Sequence, residues 1–142
     1  MTSRVWLGLL LLVIVVGGGA YYYYTRPSGS SNQPVNNPNI QVTQPVANGT
    51  VASPLAISGQ AVGGWYFEAS FPIKLYDSGN TLIGQTTAQA QSDWMTTAMV
   101  PFTATLTFPA QTAGSTGSLV FEKDNPSGEP ANADSYSVAV MF

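Results

Sequence analysis

Hydrophobic and polar positions sort this chain into three regimes. From Val5 to Tyr24, in VWLGLLLLVIVVGGGAYYYY, 20 consecutive residues carry no charge, about the number a helix needs to cross a hydrocarbon core of roughly 30 Å. From Arg26 to Asn39, RPSGSSNQPVNNPN is rich in Pro, Gly, Ser and Asn, with almost nothing to bury. From Ile40 onward the dominant period is two. In FTATLTF, Phe102, Ala104, Leu106 and Phe108 alternate with threonines, the pattern of a strand with one buried and one wet face. In FEASFPIKLYD the apolar positions are Phe67, Ala69, Phe71, Ile73 and Leu75, with Glu68, Ser70 and Lys74 on the opposite face. Pro72 interrupts that strand and marks an edge or a bulge, because it cannot donate to a ladder.

Further strands are predicted over Ile40–Thr43, Leu55–Gln60, Thr81–Gln91, Ser118–Lys123 and Tyr136–Phe142, separated by the turn-forming NGT, DSGN, AGSTG and NPSGEP. About seven short alternating strands in residues 40–142 predict an all-β fold, an immunoglobulin-like β-sandwich. The chain has no Cys, so Trp65 or Trp94 and the Phe residues must fill the space that a disulfide occupies in antibody domains.

Two readings fit the first regime. In one, it is a transmembrane anchor, with Trp6 and Tyr21 to Tyr24 at the headgroup levels and Arg4 and Arg26 bracketing the span. In the other, it is a cleaved signal peptide, with Leu7–Val16 as its apolar region and Gly18-Gly19-Ala20 before the cut. Both export the remainder. The expected organisation is an N-terminal anchor over 1–25, a flexible linker over 26–39 and a β-domain over 40–142, single-pass in the cell membrane with the C-terminal domain extracytoplasmic. The linker reaches at most about 45–50 Å when extended.

Charge narrows the chemistry. With four basic and seven acidic residues, no basic stripe exists to track a phosphate backbone, and nucleic acid is not an expected partner. Without Cys or His, thiolate catalysis, Cys-based zinc sites and the usual neutral-pH general base are excluded. A Ser–Lys pair would have to use Lys74 or Lys123, and Lys74 reads as a solvated residue of a strand face. Glu68 and Asp77 are nine strand steps apart, about 30 Å, too far to act as paired carboxylates. No cofactor is expected. Asp124, Asn125 and Glu129 offer oxygens to calcium, but calcium takes six to eight ligands; the turn reading, with Pro126 presetting φ and Gly128 tolerating positive φ, is preferred. Asn48 in NGT fits a glycosylation sequon and, equally, a tight Asn-Gly turn, which is the reading adopted.

The stretches IQVTQPVANGTVASPLAISGQA, GGWYFEASFPIKLYDSGN, DWMTTAMVPFTATLTF and GSLVFEKDNPSGEP together resemble the Gmad2 family, an immunoglobulin-like domain of bacterial spore germination proteins. The resemblance runs through almost all of residues 40–142. It implies a non-enzymatic extracytoplasmic sandwich that mediates binding or structural interactions at the bacterial cell envelope, in a sporulation or germination setting. Two of the stretches suggest a structural clamp: the Glu68 carboxylate accepts backbone N–H groups of the turn formed by Lys123, Asp124, Asn125, Ser127 and Gly128. The partner expected on this reading is an envelope protein. The rival is a carbohydrate-binding module in which Trp65, Tyr66 and Trp94 form an exposed stacking platform for cell-wall glycan, although Trp65 shares the inward parity of Phe67.

Overall fold

The computed structural model describes residues 37–142. The apolar run and most of the linker, with the anchor and signal readings placed on them, lie outside the described residues. Within those residues no helix is long and apolar enough to cross a membrane.

Eight strands follow one another: β1 (Ile40–Gln44), β2 (Gly49–Thr50), β3 (Leu55–Val62), β4 (Ser70–Asp77), β5 (Leu82–Ala90), β6 (Met99–Leu106), β7 (Thr116–Glu122) and β8 (Ser135–Met141). Short 3-10 turns occupy Gly63–Trp65 and Pro130–Asn132. The strands form one sheet in the order β1-β3-β6-β5-β4-β7-β8-β2. All neighbours are antiparallel except β2, which runs parallel to the end of β8. The expected seven strands become eight because β2 is only two residues long, below the length at which alternation is visible.

The expected sandwich is realised as a curled sheet rather than two separate ones. β3 and β6 pair along their whole length, from Leu55↔Leu106 to Val62↔Met99, and β4 pairs with β5 over almost all of its own. Between β5 and β6, however, the ladder is short: Gln89↔Thr103 and Ala90↔Phe102 are paired, and Gln91 N–H, just past β5, donates to Pro101 O at 2.8 Å. The sheet folds over at this narrow seam. Phe102 on β6 and Phe121 on β7 stand three places apart in strand order, yet their rings lie 6.0 Å apart. That contact must cross the inside of the curl.

Alternation supplies the core. Phe71, Ile73 and Leu75 of β4, Val100, Phe102 and Leu106 of β6, Leu119 and Phe121 of β7, and Val138 and Val140 of β8 are all buried. Every buried side chain among the described residues is hydrophobic. Trp65 packs edge-on to Phe71 at 5.7 Å, and Phe71 edge-on to Phe102 at 5.0 Å, so aromatic rings occupy the middle of this cystine-free domain. Pro72 lies where β4 is paired on one side alone: it stands opposite Thr87 of β5, and the β7 ladder begins only at Ile73↔Phe121.

Charged groups are used to hold these elements. Lys74 is not simply solvated: its Nζ lies 2.7 Å from Glu122 Oε2 on neighbouring β7. The hydrogen bond to Glu122 holds the Lys74 ammonium above its ordinary range, partial burial opposing it. Asp77 Oδ1 accepts the N–H groups of Gly79 and Thr81 at 2.9 and 2.8 Å, closing the β4–β5 hairpin. Asn48, at φ 60°, sits in a turn closed by Gly49 N–H to Val46 O at 3.0 Å, as the Asn-Gly reading expects.

Candidate functional site

Antiparallel pairing gathers three connections at one end of the domain: 63–69 between β3 and β4, 91–98 between β5 and β6, and 123–134 between β7 and β8. The chain enters β1 at the same end, with Ile40 opposite Ala61. Loops on a rigid sheet are where binding residues most often sit.

The 3-10 turn Gly63–Trp65 holds the three connections together. Gly63 N–H donates to Ala98 O at 3.1 Å. A Cβ at Gly63 would stand 2.0 Å from Thr96 O and 2.3 Å from Trp94 O, so only glycine lets the 91–98 backbone lie on the turn. On the other side Asp124 N–H donates to Trp65 O at 3.0 Å, and Lys123 N–H to Asp134 O at 2.9 Å. Asp134 ties in the incoming chain: Oδ1 accepts from Asn37 Nδ2 at 3.1 Å, and Oδ2 from Asn39 Nδ2 at 3.2 Å. An open cleft of about 300 Å³ lies here, lined by Asn39, Val62, Trp65, Lys123, Asn132 and Asp134 among others.

The expected stacking platform is not present. Trp65 is 1% exposed and Tyr66 4%; both belong to the core, and Trp94 is half-buried against it. Tyr66 Oη donates to Val100 O at 2.7 Å. Burial pushes its phenol up to about 12, with a backbone hydrogen bond at Ala61 pulling the other way. The Trp65 indole N–H is buried without a hydrogen-bond acceptor. The exposed ring of this stretch is instead Phe67, at 44%.

The reason is a turn where alternation implied a strand. Glu68 and Ala69 adopt φ 49° and 63°. Phe67 N–H donates to Ser70 O at 2.9 Å and Ser70 N–H to Phe67 O at 3.1 Å, closing a two-residue reversal. β4 therefore starts at Ser70, the inward parity holds only from Phe71, and Phe67 and Ala69 leave the core face. Glu68 stands exposed at the tip of the turn, and no hydrogen bond joins its carboxylate to Lys123–Gly128. The clamp is thus corrected in its atoms: the two segments do meet, but through the Trp65 carbonyl and the Asp124 N–H.

The 123–134 connection satisfies itself. Gly128, at φ 69°, donates its N–H to Asn125 O at 3.0 Å. Ser127 Oγ donates to Asn125 Oδ1 at 2.7 Å, and Asn125 Nδ2 donates to Glu129 O at 2.9 Å. Ser127 Oγ also accepts from Glu129 N–H at 3.2 Å and from Asn132 Nδ2 at 3.1 Å. Both polar ends of Asn125 are engaged in the turn, and the described residues hold no group of three or more His, Cys, Asp or Glu arranged for a metal.

Asp134 and Glu122 were missed by sequence reasoning. Each acts through a partner distant in sequence, and only strand pairing reveals either. This end presents exposed Phe67 and Met95, carboxylates at Glu68, Asp93, Asp124 and Glu129, and the Lys123 side chain beside the cleft.

No curated protein and no solved structure matches the chain. The match to the Gmad2 family, described as the immunoglobulin-like domain of bacterial spore germination, covers residues 39–129. It stops before β8, although β8 is fully paired with β7, so the folded unit is longer than the matched stretch. With its strands, core and central connections all inside or paired to that match, the chain belongs to the Gmad2 family of immunoglobulin-like domains.

Proposed function

We propose that the chain is a non-enzymatic binding or structural domain of the bacterial cell envelope, tethered to the membrane by residues 5–24 and displayed on the extracytoplasmic side, in a germination or sporulation setting. The observation that carries this reading is that five of the nine charged side chains in residues 37–142 are engaged in holding the fold. Lys74 and Glu122 neutralise each other, Asp77 caps a hairpin, Asp93 Oδ1 accepts Met95 N–H at 3.0 Å, and Asp134 holds the incoming chain. The polar chemistry builds a scaffold, and the scaffold presents loops. Family membership supports a binding role, and the uncharged run supports the tether.

Fractionation of cells making the full chain tests the reading. The chain should pellet with membranes and stay there in high salt, because apolar attachment is not screened as an electrostatic one is. Protease added to spheroplasts should remove the β-domain. A soluble product starting near Tyr21 would establish the cleaved-signal alternative, and a protease-protected domain would overturn the display outside.

A further inference from the structure

We propose that the end formed by the 63–69, 91–98 and 123–134 connections docks a cationic segment of an envelope protein, one that sets an apolar anchor among lysines or arginines. The inference rests on the binding reading above and adds to it a surface and a partner chemistry.

Two features of this end fit such a segment. The first is apolar. Phe67 is 44% exposed and Met95 76%, on connections joined through Gly63, whose backbone lies against Trp94 O and Thr96 O. Aromatic and methionine side chains are the usual material of protein-binding patches, the ring as a rigid anchor and the thioether as an adaptable one. Phe67 is also held: the reversed turn from Phe67 to Ser70 is closed by two backbone hydrogen bonds, so little order remains to be imposed on binding.

The second feature is charge, which chooses the occupant. Of the seven carboxylates in the chain, Glu68, Asp93, Asp124, Glu129 and Asp134 lie on these three connections, against Lys123 alone. Asp134 and Asp93 are engaged by asparagine side chains and a backbone N–H. Elsewhere in the described residues the charges nearly cancel, with Lys74 paired to Glu122 and Asp77 capping its turn. A patch of one sign steers and selects a partner of the other. Anionic lipid headgroups are repelled by it, and a neutral glycan, whose hydroxyls can donate to carboxylates, gains no net charge attraction from it. A basic protein segment with an embedded apolar side chain matches both features at once. Glu68 adjoins Phe67 in the turn, so anchor and cation must be close neighbours on the partner.

The test uses the full chain in nanodiscs of zwitterionic lipid. The probes are two fluorescein-labelled peptides, one with four lysines flanking Leu-Trp and one with four lysines flanking Gly-Gly. The anchored peptide is expected to bind about tenfold more tightly, the worth of one well-seated apolar contact. Both should weaken as salt rises. Phe67→Ala with Met95→Ala should erase the difference between the peptides, while Glu68→Gln with Glu129→Gln should weaken both. These side chains are exposed, and unchanged thermal unfolding of the variants verifies that the fold is intact. Equal affinity of the two peptides, or a difference that survives Phe67→Ala with Met95→Ala, overturns the proposal. So does binding of soluble muropeptides or phosphatidylglycerol vesicles at this end in place of the peptide, an outcome that leaves the binding reading standing. A β-domain protected from protease in the display experiment removes the reading itself.

Discussion

Glu68 and Ala69 illustrate how much one backbone choice decides. Each holds a left-handed conformation, at φ 49° and 63°, which costs an L-residue with a Cβ roughly 1–2 kcal/mol. Asn-Gly is the pair suited to consecutive positive φ in a two-residue turn. Glu68→Asn combined with Ala69→Gly should therefore raise stability by about 1–2 kcal/mol, read as a higher denaturant midpoint. An unchanged midpoint would show that the turn is unstrained. Glu68→Gln alone should stay within about 0.5 kcal/mol of the parent, as for an exposed side chain without a partner. Tyr66, two residues earlier, makes the opposite kind of contribution. Its phenol is pushed from 10.0 to about 12 by burial, so the folded state holds the proton more tightly than the unfolded state. That contribution is complete below pH 10 and is lost as pH rises towards about 12. Lys74, whose ammonium is also held above its ordinary range, acts in the same direction. Tyr66→Phe should lessen the loss of stability in this alkaline window. At neutral pH it should cost about 1–3 kcal/mol, because the buried Val100 carbonyl loses its donor. Equal alkaline slopes for parent and variant would exclude Tyr66 as the titrating group.

At the scale of elements, the strands were legible wherever one face is buried over five or more residues. β6 shows this clearly, with Val100, Phe102 and Leu106 inward and Thr103 and Thr105 outward. β4 was legible from Phe71 to Leu75, and the same period misled at Phe67 because an apolar turn residue cannot be told from a strand residue by parity. The site was legible only as a meeting of two segments. The Trp65 stretch and the Lys123–Gly128 loop do touch, but backbone atoms make the contact, and side-chain chemistry gives no sign of such a bond. Gly63 is the other hidden feature. Its sequence context, GGW, reads as a flexible break, whereas its missing Cβ admits the Trp94 and Thr96 carbonyls. Gly63→Ala should push the 91–98 connection off the turn and destabilise the domain by about 1–3 kcal/mol. Gly64→Ala, with no atom within 4 Å of its Cβ position, should be nearly silent. Comparable losses in the two variants would mean that backbone freedom, and not close approach, explains the glycine pair.

Across the whole molecule, the narrow β5–β6 seam raises the question of whether the curl unfolds as one body. Two residue pairs and the hydrogen bond from Gln91 N–H to Pro101 O join the halves of the sheet there, a short ladder beside the full-length pairing of β3 with β6. The core adds a second link across the seam. Phe102, on one side of the seam, is in ring contact with Phe71 at 5.0 Å and Phe121 at 6.0 Å on the other, and Trp65 extends the series through Phe71. A ring that bridges both halves makes them share one stability. Phe102→Ala should then cost about 3–5 kcal/mol, the usual price of removing a buried ring. Tryptophan fluorescence, which reports from the loop end, and far-ultraviolet circular dichroism, which reports from all strands, should give coincident transitions in the parent domain. Reductant should leave both unchanged, since the chain has no Cys. In Phe102→Ala both curves should move to lower denaturant. Separation of the two transitions in the parent would show that β1, β3 and β6 unfold apart from the remaining strands, and that the seam, not the aromatic series, sets the cooperative unit.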